Sequence, residues 1–384
     1  MTSSSALQEP VSSLFTPDAP TQAGFPFAFA VCQIGAERAV KAELARARPG
    51  YRPAFMRPGL VTWKCEPAFV PHEVLPSVFA RAYGASLGSV RSAAELAALL
   101  PTLQTHGIRG PWRLHVFARD AHKPGEADPD EAEVRRRIDA TTEAIRAAAK
   151  ESIWQVGAAQ KNGEWVLDVV LPPDMSGLAS PGTSYGATEP WLVGLHRQGP
   201  GHSPHAGARP PLRMPAEAPS RAWLKLEEGL AFSRLPLSAG DVAVEIGSAP
   251  GGASWALLSR GLQVVGVDPG AMDARVLSSP RFTHLQMTLG ELRREQLPYR
   301  VDWLLLDVNL APQVALHQLR RIVSTLRPTL RGALLTLKLN DWSMAEQVPR
   351  FLSQVQAMGF DEVRATQLPS NRQEICVAAR RRPR

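Results

Sequence analysis

The run Val242-Ala243-Val244-Glu245-Ile246, followed by Gly247-Ser248-Ala249-Pro250-Gly251-Gly252, decides how this chain is read. An almost wholly apolar strand passes into a glycine-rich turn, and helix-forming residues begin at Gly252. Glycines let the backbone reverse sharply and approach a ligand closely. Pro250 stiffens the turn and is tolerated in a first helical turn. The spacing is not G-x-G-x-x-G, and by itself a glycine turn is weak evidence for any ligand.

Working outward, a helix is expected over 252–260, then a strand from Gln263 to Val267 that ends in Asp268. Asp268 lies 21 residues beyond Gly247, at a strand tip, where a carboxylate can accept both ribose hydroxyls of a nucleoside cofactor. This spacing alone leaves NAD and S-adenosylmethionine both open. Further strands are expected at Phe282–Met287, Asp302–Leu306, Ala333–Leu339, Glu362–Gln367 and Ile375–Ala379. Helices are expected at 222–232, Pro312–Leu326 and Met344–Met358. Alternating β and α segments with apolar strands specify a doubly wound α/β sheet. The link Leu368–Gln373 is too short for a helical crossover, so the last two strands should run antiparallel.

Four charged residues fall at the edges of these elements. Lys225 lies on the helix before the first strand, Asp307 ends the fourth strand, Lys338 sits near the end of the fifth, and Glu374 opens the last. Ligands of open α/β sheets bind outside the carboxyl ends of the strands, so these side chains should share the crevice of the glycine turn. Two lysines with two acids suit proton removal from a hydroxyl during methyl transfer. A neutral lysine can take the proton, yet a free lysine has a pKa of about 10.4. A second ammonium and partial desolvation lower that value, whereas Asp307 and Glu374 raise it, so the net proton affinity does not follow from sequence. Positioning of donor and hydroxyl should supply much of the rate. A nicotinamide dehydrogenase would not need this quartet.

The turn Gly247–Gly252 with Asp268 resembles the cofactor loop of FtsJ-like ribose 2′-O-methyltransferases, and the quartet resembles their Lys-Asp-Lys-Glu tetrad. Leu212–Phe232 and Asn371-Arg372-Gln373-Glu374 further resemble the bacterial RlmM family, which methylates a cytidine ribose of large-subunit ribosomal RNA. The likeness is close over roughly 212–384. It implies a class I, Rossmann-like seven-stranded methyltransferase domain that uses S-adenosylmethionine and no metal. It also implies that Lys338 is the proton acceptor and that Ser220 touches the cofactor. Gly247, Ser248, Ala249, Pro250, Gly251 and Gly252 would line the cofactor with Asp307, and Asp268 would hold its ribose. The family's Cys-Pro-Gly-Gly-Trp is here Ala249-Pro250-Gly251-Gly252-Ala253. An acid expected near the adenine is replaced by Thr288 or a neighbour. Another RNA, such as tRNA, is an alternative substrate. A non-catalytic RNA-binding assembly factor is the alternative from a different class.

The first half reads as α+β. Residues 1–24 form a Ser/Thr/Pro/Ala tail expected to be disordered. Residues 25–105 hold strands near 27–31 and Leu60–Trp63, with helices Glu37–Arg48 and Glu73–Tyr83. Residues 106–196 hold strands Trp112–Arg119 and Trp165–Leu171 around a helix from Asp130 to Glu151. By resemblance these are a ferredoxin-like piece and a THUMP RNA-binding domain. Residues 197–212 read as a linker before the domain 213–384. The Gly/Pro-rich stretch 180–210 reads as an insertion, with His202 and His205 in a flexible loop and no metal.

The 384 residues carry a net charge of +7, which suits a polyanionic partner. Large-subunit ribosomal RNA before subunit completion is the partner the resemblance implies. Three scattered cysteines without a CxxC give no zinc or disulfide framework and suit a reducing cytoplasm. No run of about 18 apolar residues suggests a membrane span.

Overall fold

The computed structural model describes residues 24–105, 107–122, 131–157, 160–173 and 189–382. Nearly all of the expected tail, and 180–188 of the Gly/Pro-rich stretch, lie outside them. The chain divides into two compact units, Met1–Arg209 and Pro210–Arg384.

The first unit is built on one seven-stranded sheet. Its strands are β1 (Phe25–Val31), β2 (Arg52–Arg57), β3 (Leu60–Phe69), β4 (Ala82–Val90), β5 (Arg113–Ala118), β6 (Trp165–Leu171) and β7 (Trp191–Arg197). The order is β2-β3-β1-β4-β7-β6-β5, and only β5 and β6 pair in parallel. The β4–β7 pairing makes the sheet continuous through both α+β stretches. Helices α1 (Glu37–Ala47), α2 (Ala93–Thr105) and α3 (Glu131–Ala148) complete the unit.

The expected helix over Glu73–Tyr83 does not form, and residues from Ala82 onward are strand β4 instead. Pro76 lacks an amide proton, and the Glu43 carboxylate of α1 accepts hydrogen bonds from the Ser77 hydroxyl and the Val78 amide. These local partners satisfy polar groups that a helix would otherwise pair internally. Nor is His202 in a loose loop. It is 6% exposed and stacks on His196 with ring centroids 4.6 Å apart.

The second unit carries the other sheet: β8 (Val242–Ile246), β9 (Gln263–Val267), β10 (Phe282–Leu285), β11 (Trp303–Asp307), β12 (Gly332–Lys338), β13 (Glu362–Thr366) and β14 (Glu374–Arg380). The order is β10-β9-β8-β11-β12-β14-β13. The first five strands are parallel, and β14 lies antiparallel between β12 and β13, as the short connection required. Its main helices are α4 (Ala222–Ser233), α5 (Gly252–Ser259), the single turn α6 (Ala274–Leu277), α7 (Pro312–Leu326) and α8 (Val348–Gln356). On α7 the buried residues Ala315, Leu316, Leu319, Ile322, Val323 and Leu326 recur at helical spacing, giving one apolar stripe. The expected helix Met344–Met358 is split: a 3₁₀ turn, Trp342–Gln347, precedes α8. Pro349 accounts for the restart, because it favours the first turn of a helix over its interior.

Helix α4 positions the site. Leu226 is 3% exposed and belongs to the main core cluster with Leu257, Leu334 and Leu368. Burying such a side chain contributes about 1.5–3 kcal/mol. A side chain at Gly229 would put its Cβ 2.7 Å from Leu334, so glycine sets how closely α4 approaches β12. At the opposite end of the strands, Asp241 accepts from the Trp303 indole at 2.8 Å and pairs with Arg331, fixing the strand starts.

Candidate active site

The glycine turn leaves β8 at Gly247, whose φ is +86°, and a Cβ there would meet the Asp307 carbonyl oxygen at 2.1 Å. Only glycine allows β8 and β11 to end this close together. Gly251, with φ of +118°, caps α5. A Cβ at Gly252 would lie 2.3 Å from the Ser220 hydroxyl, so Ser220 is held directly against the turn. Asp268 accepts the Ala249 amide at 3.1 Å on one oxygen and the Gly270 amide at 2.7 Å on the other. Each oxygen keeps a further lone pair for a diol. These residues fit a nucleoside cofactor: a tight backbone cradle with a half-buried acid at the second strand tip.

Two expected contacts look different in three dimensions. The Ser248 side chain is 2% exposed and donates to the Met272 sulfur at 3.6 Å, so only its backbone is left for a ligand. Thr288 gives both its amide and its hydroxyl to the Glu291 carboxylate, each at 2.8 Å. These bonds hold the Glu291 carboxyl below its usual range. The Glu291 carboxylate is thus held at the Thr288 backbone, three residues along the chain.

The four charged residues converge. Lys225 Nζ lies 3.1 Å from Asp307 Oδ2 and 2.7 Å from Glu374 Oε1. Lys338 Nζ lies 2.7 Å from Glu374 Oε2 and 2.9 Å from Asp307 Oδ1, the latter off the hydrogen-bonding direction. The result is a closed ring of alternating charge. Each member comes from a different element: the first turn of α4, the last residues of β11 and β12, and the first residue of β14. Lys338 and Glu374 are register partners across the β12–β14 ladder. Glu374 is 3% exposed, while about a quarter of each of the other three side chains meets solvent.

Electrostatics follow from that geometry. For Lys338, burial favours the neutral amine, but the Asp307 and Glu374 carboxylates outweigh it and hold the ammonium above the usual lysine range. For Glu374, burial favours the acid, and the two lysines overcome it and keep the carboxylate below its ordinary range. The charged forms of Lys338 and Glu374 thus support one another. Beneath the turn lies a group that sequence reasoning passed over. Burial pushes the Glu245 carboxyl up to about 8, against a smaller opposing effect of its hydrogen bond from Ser254. The signal was present: an acid is an odd last-but-one residue for a fully buried strand.

Residues 218–374 match the model of the FtsJ-like methyltransferase family. The second unit holds an FtsJ-like methyltransferase domain. Curated relatives carry the name ribosomal RNA large subunit methyltransferase M. That of Halorhodospira halophila is 37% identical over 177 residues, covering 45% of this chain and 50% of its own. That of an Azoarcus species is 30% identical over 233 residues, covering 58% of each chain. The chain spans about half the length of the curated relatives it matches. Among solved structures, TrmN from Thermus thermophilus aligns at 16% identity over 92% of this chain and 99% of its own, with a TM-score of 0.32. The FtsJ-like domain contains the whole ring, from Lys225 to Glu374, and the glycine turn. Among the described residues no group of three or more His, Cys, Asp or Glu could hold a metal, and no helix is long and apolar enough to cross a membrane.

Proposed function

We propose that this chain is an S-adenosylmethionine-dependent RNA ribose 2′-O-methyltransferase acting on a cytidine of large-subunit ribosomal RNA. The observation that carries the reading is the closed ring of Lys225, Asp307, Lys338 and Glu374 set against a turn where Gly247 touches the Asp307 backbone. S-adenosylmethionine supplies an electrophilic methyl on a cationic sulfur. The turn Gly247–Gly252 with Ser220 would hold its amino-acid part, Asp268 its ribose diol, and the Thr288 segment its adenine. Asp307 bridges the two sites. Its carboxylate belongs to the ring, and its backbone abuts Gly247.

Lys338 takes the 2′ proton as the hydroxyl attacks. With a cationic donor held by the turn, the two carboxylates would be opposed and the proton affinity of Lys338 lowered. Lys225 shares the carboxylates, so that they do not commit wholly to Lys338. Glu374 and Asp307 fix both amines, and this orientation contributes to rate through positioning. The first unit would grip RNA as a ferredoxin-like and THUMP pair, in the cytoplasm and on RNA not yet fully assembled. The names of the relatives in the large-subunit RNA methyltransferase group support that substrate. The test is transfer of labelled methyl to large-subunit RNA from cells lacking this protein. Label on one cytidine 2′-oxygen, abolished by Lys338→Ala, is expected. RNA binding without transfer would sink the reading and favour an assembly factor.

A further inference from the structure

Glu374 serves both lysines, and its own orientation needs a cause. Its carboxylate has a third partner. Asn371 Nδ2 donates to Glu374 Oε1 at 3.2 Å, on the same oxygen that faces Lys225. Asn371 is 2% exposed and is itself locked, its Oδ1 accepting the Leu368 amide at 2.9 Å and its own amide reaching the Leu368 carbonyl at 3.0 Å.

The loop bearing Asn371 is pinned at three more points. The Glu228 carboxylate, one turn beyond Lys225 on α4, accepts the Ser370 amide at 2.9 Å and the Ser370 hydroxyl at 2.6 Å. Gln367 Nε2 donates to the Arg372 carbonyl at 3.1 Å. The Leu339 amide, next to Lys338, donates to the Gln373 carbonyl at 2.8 Å. The loop is therefore tied to the two elements that carry the lysines.

We propose that Asn371 is a positioning residue that holds the Glu374 carboxylate square between Lys225 and Lys338, so that each oxygen serves one lysine. This rests on the catalytic reading of the ring. The chemistry of the amide suits the task. It donates to a carboxylate without adding charge, leaving the ring at two positive and two negative. A third cation there would strip Glu374 from the lysines, and an acid would bind them more tightly. The groups facing Glu374 are Lys225 on α4, Lys338 on β12, Asn371 and, on its own strand, Cys376, with Asp307 of β11 across the lysines.

The test reads the lysine directly and needs no RNA. The rate at which Lys338 is acetylated at pH 9 is followed by peptide mass spectrometry in the full chain, with Lys41 and Lys64 as remote references. Asn371→Asp adds negative charge beside Glu374 and should slow Lys338 acetylation about tenfold, as for a rise of one pH unit in its proton affinity. Asn371→Leu, similar in size but without a donor, leaves the Glu374 charge less shared and should slow it about two- to threefold. A residue that merely filled space would do the opposite, since a loosened loop exposes Lys338 and speeds its modification. Faster or unchanged acetylation in both variants overturns the proposal. Slowed acetylation in a chain that methylates no RNA would keep the positioning role and dismiss the functional reading instead.

Discussion

Replacing Glu245 with glutamine should make the methyltransferase domain more stable above neutral pH. Glu245 is 3% exposed at the end of β8, with Ser254 donating to it and the Asp307 and Asp268 carboxylates adding repulsion. Burial is the largest cause of its displacement, from the usual 4.5 up to about 8. A carboxyl whose folded-state pKa is raised contributes stability that is complete below 4.5 and is lost as pH climbs through 8. At about 1.36 kcal/mol per pH unit of displacement, the ceiling is roughly 5 kcal/mol. Relaxation of the turn, which lets water reach the ionised group, brings the expected difference to about 2–3 kcal/mol. Glutamine mimics the neutral acid in size and can still accept from Ser254. Native-state hydrogen exchange of peptides covering 242–246 gives the opening free energy of this strand in both proteins. The variant should match wild type at pH 4–5 and exceed it by that margin at pH 9. Equal stabilities across the whole range would refute the burial argument.

Three other substitutions test separate parts. Gly252→Ala would push a Cβ against the backbone and hydroxyl of Ser220, costing about 1–3 kcal/mol in thermal unfolding and lowering methyl transfer by shifting α4 with Lys225. Asp268→Asn removes an anion that accepts two backbone amides, and calorimetry should find S-adenosylmethionine binding weakened by roughly 10- to 100-fold, the value of a charged hydrogen bond. In the first unit, burial holds the His202 imidazole down to about 3. Its contribution is present above 6.5 and fades as pH falls toward 3, so His202→Phe should flatten the acid limb of that unit's stability, as followed by urea unfolding between pH 4 and 7.

Much of the second unit was legible because its strands are apolar runs ending at charged or glycine residues. Val242–Ile246 and Trp303–Asp307 announce both their length and which end faces the crevice. The antiparallel hairpin followed from chain length alone. The first unit resisted for physical reasons. Strand β2 contains Arg52, Pro53 and Arg57 and is mostly exposed at the sheet edge, so it has no buried face to give a period-two pattern. Strand β4 is spelled Ala-Tyr-Gly-Ala-Ser-Leu-Gly-Ser-Val, small residues whose role is close packing rather than propensity. Of the site, Asp307, Lys338 and Glu374 could be placed by strand ends, and Lys225 by the helix before the first strand. Glu228 could not be assigned a role, because its partner Ser370 lies on a loop that only the fold brings to α4.

The ring also resolves a conflict that sequence left open. Two lysines together suggest a lowered proton affinity, and two acids suggest the reverse. At Lys338 the geometry decides for the acids, with Glu374 Oε2 at 2.7 Å and Asp307 Oδ1 at 2.9 Å. A positive charge added at the turn would oppose the carboxylates' hold on Lys338. In the proposed reaction, a cationic methyl donor at Gly247, whose neighbour across the turn is the Asp307 backbone, would sit where it weakens the hold of the carboxylates on Lys338. Base strength and donor binding would then be coupled through Asp307, whose carboxylate pairs with both lysines and whose backbone adjoins Gly247.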